Sequence, residues 1–368
     1  MSKSKPKKRY KKKRYLLPIT IIVILIAFRL YLPTLIKNYV NKVLADIPGY
    51  YGQVEDIDLS LIRGAYTIEG LYLNKKTAET EIPFLNFPET DISIEWSSLL
   101  KGKIVSEIEM QSPEVIYVFE DQEKTADEEP DKEDWTKALT DLVPLDVNHF
   151  EVYNGKLGFV QLQAEPNIDL YINNLRLSAQ NLRNVRQTER TLPSPVTATG
   201  TSIGNGKLKL DARINLIKEI PDMNVSLSLE NASVTALNDF TNYYAGLDFE
   251  EGTLGIFTEF AIADGYLKGY VKPLLKDTKL IGKDDGFLKT LWEGFVGVFK
   301  FILKNQGTDT LATKAPIEGD LNSTKTKIWP TVFNIFKNAW ISAFQGQVDE
   351  DIEFKDAFQE AKEEKKKD

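Results

Sequence analysis

Asp56-Ile57-Asp58-Leu59-Ser60-Leu61 alternates polar with aliphatic residues, and Asp91-Ile92-Ser93-Ile94-Glu95-Trp96 repeats the pattern. Glu114-Val115-Ile116-Tyr117-Val118-Phe119 keeps Val115, Tyr117 and Phe119 on one register. A period of two sends successive side chains to opposite faces of a strand. One face is then apolar and the other polar, the pattern of an antiparallel sheet with one covered side. Working outward, further strands are predicted at Tyr66–Leu73, Ile104–Met110, Phe150–Val160, Ile168–Leu177, Lys207–Leu216, Asn224–Glu230 and Thr253–Ala263. Gly, Pro, Asn or Asp bounds each of them. About ten strands precede Asp264, so the body is predicted to be mainly β. No strict repeat indicates a solenoid.

Two stretches interrupt the alternation. Glu120–Asp134 (EDQEKTADEEPDKED) carries nine acids and two lysines. Clustered carboxylates suit calcium, but the run lacks the glycine turn of an EF-hand loop, so it reads as a solvated loop. A short helix is predicted at Trp135–Val143. Gln187–Gly206, rich in Thr, Pro and Gly, reads as a flexible connection.

The charge is unevenly divided. The chain of 368 residues has 46 Lys+Arg and 54 Asp+Glu, a net charge of −8. Residues 1–15 hold nine of the basic residues and no acid, leaving 37 basic against 54 acidic residues, a balance of −17. Such an acidic body is poorly suited to nucleic acid. Leu16–Ile36 follows the basic segment, with Arg29 as its only charge. As a helix it spans about 31 Å, enough to cross a bilayer. Pro18 lies in its first turn, and Arg29 and Tyr31 suit the far interface. The long charged leader and the lack of a small-x-small site after Phe28 favour an uncleaved anchor over a signal peptide. The positive-inside rule keeps residues 1–15 in the cytoplasm and sends the body across the membrane.

Thr34–Ile47 shows helical spacing of Leu35, Ile36, Tyr39, Val40, Val43, Leu44 and Ile47. Two placements fit it: the membrane–water interface, or the end of the following sheet. The C-terminal third returns to helical spacing, with amphipathic helices predicted at 287–303 and 328–344. Their apolar faces suit sheet packing or lipid contact. Residues 346–368 are charged and read as a disordered tail.

Little catalytic chemistry is legible. The chain has no Cys and a single histidine, His149. Thiolate nucleophiles, disulfides, Cys-bearing zinc sites and two-histidine metal sites within one chain are therefore excluded. There is no P-loop, dinucleotide fingerprint, HExxH or GxSxG. No cofactor, metal or covalent reaction is predicted. Asn224, Asn231 and Asn322 head Asn-x-Ser/Thr triplets, which chance explains.

The order of parts resembles the AsmA-like superfamily of bacterial envelope proteins, in particular a branch known only as a domain of unknown function. The resemblance spans roughly residues 16–345 and rests on short structural motifs rather than catalytic ones. They are the anchor, GYYGQVEDIDLSLIRGAYTIEGLYLNK (Gly49–Lys75), DISIEWSSLLKGKIVSEI (Asp91–Ile108), SPEVIYVFE (Ser112–Glu120), FTEFAIADGYLKGYVKPLLKD (Phe257–Asp277) and NAWISAF (Asn338–Phe344). It implies a bacterial inner-membrane anchor and a periplasmic body at 37–345. It also implies an elongated, strongly curved antiparallel sheet, related to bridge-like lipid-transfer proteins. The expected function is to hold or pass phospholipid along an apolar groove, in support of outer-membrane homeostasis. Groove or core positions are expected at Ile57, Leu59, Leu61, Ile92, Ile94, Trp96, Val115, Tyr117 and Phe119. The rival expectation is a non-enzymatic envelope scaffold that binds protein partners. Ten to fourteen strands give about 50–65 Å of sheet at the interstrand spacing, so a one-piece bridge to the outer membrane is not expected.

Overall fold

The computed structural model describes residues 10–47, 49–60, 63–94, 96, 105–123, 146–182, 192–215, 220–245, 248–281, 310–312, 315–322 and 335. The period-two stretches do form strands, and they join one 15-stranded sheet. Helix α1 (Tyr10–Ala45) precedes β1 (Tyr50–Gln53), β2 (Asp56–Ser60), β3 (Ala65–Lys75), β4 (Leu85–Ile94), β5 (Val105–Gln111) and β6 (Glu114–Val118). A short helix α2 (Phe119–Glu123) leads toward β7 (Asp146–Gln161), β8 (Ile168–Gln180), β9 (Ser194–Ser202), β10 (Lys207–Asn215) and β11 (Asp222–Ser233). Helix α3 (Asn238–Ala245) precedes β12 (Phe249–Ala263), β13 (Tyr266–Leu280), β14 (Thr310–Ala312) and β15 (Ala315–Asp320).

The sheet is mixed rather than purely antiparallel. Both β5 and β6 pair with β7 in parallel, while both pair with β4 antiparallel. The cause lies at Ser112-Pro113, which punctuates the sequence like a turn. Ser112 takes φ 51° and the chain bends without reversing. Thus β5 and β6 are two segments of one bent path between β4 and β7. Strand β7 therefore runs in the same direction as both.

Other boundaries also differ from the sequence reading. Twelve strands, not about ten, precede Asp264. Residues 194–202, expected within a flexible connection, form β9 between β8 and β10. Its Thr-rich composition suits a strand, and Pro195 stands beside its first residue. The C-terminal third includes β13, β14 and β15. The predicted helices at 135–143, 287–303 and 328–344 fall outside the described residues, apart from Ile335, which packs on the cluster of Ile262, Leu267, Val271, Ile317 and Leu321.

Turns follow residue chemistry. Ala263 faces Tyr266 across the two-residue loop Asp264-Gly265, with φ 52° and 80°. Two positive φ values are what a tight hairpin matching the strand twist needs. Asn154 and Asn174, at φ 56° and 52°, mark the bulges in β7 and β8.

The segments expected at Leu16–Ile36 and Thr34–Ile47 lie on one continuous helix as far as Ala45, with Pro18 and Pro33 inside it. Leu17–Tyr31 is exposed along its whole length, whereas Val40, Leu44 and Ile47 are buried. These three join Val54, Ile57, Ile68 and Ile92 in the largest core cluster. Burying each such side chain contributes about 1.5–3 kcal/mol. Of the two placements open for Thr34–Ile47, the helix takes the end of the sheet. Asn41 secures the joint: its Oδ1 accepts from the Val54 N–H at 2.6 Å, and its Nδ2 donates to the Val54 carbonyl at 3.4 Å. One turn earlier, Lys37 Nζ donates to the Glu55 carbonyl.

Candidate functional site: the apolar face of the sheet

Residues directly opposite one another in paired strands point to the same face. Following the register from Ile57 therefore traces one side of the sheet. The row runs Ile57, Ile68, Thr90, Met110, Val152, Leu177, Ala198, Leu210, Leu227, Thr258 and Val271. Leu59 starts a second row through Tyr66, Ile92, Ile108, Phe150, Ala179, Val196, Ala212, Val225, Phe260 and Gly269. Neither row contains a charged residue. Each crosses eleven strands, about 48 Å at the spacing of neighbouring strands. A shorter row joins Leu73, Leu85, Val115, Leu157 and Ile172.

The opposite face is its chemical inverse. From Asp58 the register passes through Thr67, Asp91, Glu109, Glu151, Ser178, Thr197, Asp211, Ser226 and Glu259. Arg63 donates to both carboxylate oxygens of Asp91, at 3.0 and 3.1 Å. Ser178 Oγ donates to Glu151 at 2.7 Å. Glu107, Ile108, Glu109, His149 and Glu151 line a shallow depression of about 160 Å³. His149 Nδ1 lies 3.7 Å from Glu107, beyond hydrogen-bond reach. Among the described residues, no three His, Asp or Glu side chains are grouped to hold a metal ion.

Burial varies along the apolar face. Ile57 and Ile92 are each 1% exposed and belong to the core beside α1. Leu59 and Val115 are half-buried against the same cluster, and Ile94 is half-buried with its N–H donating to the Gly64 carbonyl. Tyr117 stacks on Phe159 at 5.9 Å, and Phe119 meets the same ring edge-on. Phe119 opens α2 rather than extending β6. Trp96 lies past the end of β4, 49% exposed, with its indole N–H donating to the Arg63 carbonyl at 3.0 Å. Leu61 lies outside the described residues. The expected positions therefore divide: Ile57 and Ile92 are core, Trp96 is an exposed end residue, Phe119 has left the sheet for α2, and Leu59, Ile94, Val115 and Tyr117 lie on the first strands of the sheet.

The central residues Leu177, Val196, Leu210, Ala212 and Leu227 are half-buried. Sequence reasoning did not nominate them, although β10 alternates as clearly as β2. Tyr66, in the second row, has its phenol pushed above the ordinary tyrosine range by burial. A neutral Tyr66 keeps that row uncharged.

Glu120 and Asp121, read as part of a solvated acidic run, are buried at 7% and 3% exposure. Glu120 Oε1 accepts from the Gln163 N–H at 2.8 Å. Asp121 accepts from the Glu79 N–H at 2.7 Å and the Thr80 hydroxyl at 2.6 Å. Residues 124–134 of the run lie outside the described residues. The start of the run is thus a clasp between two loops at one sheet end. Its carboxylates satisfy backbone donors, a use that a count of charges cannot separate from solvation.

Helix α1 has a segment, Leu17–Ala45, long and apolar enough to cross a membrane, and none of its most apolar window is buried in the protein. No protein-family model and no curated protein matches the chain.

Proposed function

We propose that this chain is a single-pass bacterial inner-membrane protein whose periplasmic, AsmA-like β body holds or passes phospholipid along the apolar face of its sheet. The observation that carries the reading is the pair of uncharged rows crossing eleven strands. Acyl chains suit such a face because they need apolar contact and no hydrogen bonds. The anchor α1 docks at one end of the same sheet, so a lipid on the face need travel only from the bilayer to the adjoining strands. The exposed apolar length of α1 supplies the membrane attachment, and the basic residues before it set the orientation. Phospholipid is the partner in this reading, in support of outer-membrane homeostasis. No covalent step is involved.

One observation favours a second reading. Ile57 and Ile92 are filled in by the protein itself beside α1. If the remaining face is covered in the same way, the body is an envelope scaffold that binds protein partners. Native mass spectrometry of the full chain, released from membranes in mild detergent, separates the two. The carrier reading expects phospholipid at fixed stoichiometry, lost in the double variant Leu210→Asp/Leu227→Asp while the β signal in circular dichroism is kept. Equal lipid retention by both folded proteins supports the scaffold.

A further inference from the structure

We infer that the turn closing the β2–β3 hairpin, at Arg63-Gly64, rests with Trp96 in the headgroup layer of the bilayer that α1 crosses. The inference builds on the reading of α1 as a membrane span.

The path of the chain carries the argument. After α1 ends, β1 and the residues following it run back along the helix. Val54 is held at Asn41, and Glu55 at Lys37, one turn nearer the apolar segment. Ile36 and Leu59 both pack against the cluster that contains Ile57. Strand β2 therefore descends toward the membrane rather than away from it. Leu17–Tyr31 is exposed throughout, and Leu32 and Pro33 are the first residues beyond it that are half-buried.

The length of β2 sets the depth. Five residues extend about 17 Å at a strand's rise per residue. The descent along the helix is then at most about 17 Å, or roughly eleven helical residues. Counting from Lys37, the turn falls beside residues 26–37, the stretch that holds Arg29 and Tyr31. Arg29 is the only charge in Leu16–Ile36 and Tyr31 lies close by, so this level is the interface.

The chemistry at the turn suits that layer. Strand β4 runs in the same direction as β2, which brings Trp96 to the same end. Its ring lies against Gly64. The indole N–H is satisfied by the Arg63 carbonyl, leaving an exposed apolar ring. The Arg63 side chain is 64% exposed beside Asp91. A half-exposed indole next to an arginine is what the membrane–water boundary favours. Here it would add a second contact beside the anchor and fix the angle at which the sheet leaves the bilayer.

The chain has no cysteine, so single-cysteine labelling is clean. Arg63→Cys and Lys209→Cys would each carry a nitroxide in the full chain, in phosphatidylethanolamine–phosphatidylglycerol vesicles. Power-saturation electron paramagnetic resonance then compares access to oxygen and to a water-soluble nickel chelate. The inference expects the label at position 63 to favour oxygen, and the label at 209, on an exposed mid-sheet lysine, to favour nickel. A second test keeps Trp96 as the sole tryptophan, the other four being replaced by Phe. Its emission should be blue-shifted and quenched by a nitroxide near the glycerol more than by one near the acyl methyl end. Water-like accessibility at 63, or an unquenched Trp96, in protein that floats with the vesicles after alkaline carbonate overturns the seating and leaves the anchor intact. Failure to float overturns both.

Discussion

Replacing Asn41 with alanine should loosen the joint between helix and sheet without unfolding the sheet. The Val54 side chain is 1% exposed, and its N–H and C=O both turn to the Asn41 amide. Alanine leaves that N–H without its partner, which costs about 1–3 kcal/mol when water cannot reach it. Alanine's higher helix propensity returns about 0.5 kcal/mol, so the net loss is about 0.5–2.5 kcal/mol. If opening of the joint is local, the Val54 amide should exchange about 2–70-fold faster. Asn41→Asp keeps the acceptor of the 2.6 Å bond and gives up only the 3.4 Å donor. Its effect should be a few-fold at most. Hydrogen exchange read by mass spectrometry on the full chain in micelles measures both. Val54 exchange within twofold of wild type in Asn41→Ala would refute the reasoning, as would equal acceleration by the two variants.

Three further outcomes follow from other parts of the fold. Asp121→Ala removes the acceptor for Glu79 N–H and Thr80 Oγ, and should lower stability by about 2 kcal/mol in denaturant titration. Asp121→Asn, which keeps one amide oxygen, should lose less. Gly269→Val should disrupt the β12–β13 pairing, because a Cβ there would meet Phe260 and the Glu259 carbonyl; a variant with unchanged melting temperature would contradict the register. For Tyr66 the folded-state pKa lies above the unfolded value because burial disfavours the phenolate. Its contribution is therefore fully present below about pH 10 and is lost as pH rises through the folded pKa. Phenolate absorbance should show one late-titrating tyrosine that disappears in Tyr66→Phe.

The parts of the fold legible in the sequence are those governed by nearest neighbours. Asp56–Leu61 and Lys207–Leu216 alternate cleanly, and both form strands close to the expected bounds. The long apolar helix was readable from composition, and Ala263 as a strand end, but the strand β13 beyond Asp264-Gly265 was not expected. Strand direction was not readable. Ser112-Pro113 looks like any turn, and only the distant partner β7 reveals that the chain bends without reversing. Strand β9 was masked by a Thr- and Pro-containing composition that suits loops as well as edges. Asp121 was placed by charge in a solvated run and Asn41 was not singled out, yet each satisfies a backbone donor far away in sequence. Such partners depend on tertiary contact, which local pattern does not encode. The apolar face itself shows the same division. Single strands announce one apolar side, but continuity from Ile57 to Val271 depends on register across ten pairings. The nominated residues cluster in the first strands and miss Leu210 and Leu227 at mid-sheet, although β10 alternates as cleanly as β2.

The central claim concerns what touches that mid-sheet face. A photo-crosslinking amino acid placed at Leu227 should capture phospholipid in living cells, giving a lipid-mass adduct on the full chain. The same probe at Ser226, the neighbouring residue on the opposite, polar face, should give none. Adducts at 227 alone are the result the account predicts. Protein adducts or no adduct at 227, in a chain that is folded and membrane-bound, would contradict it.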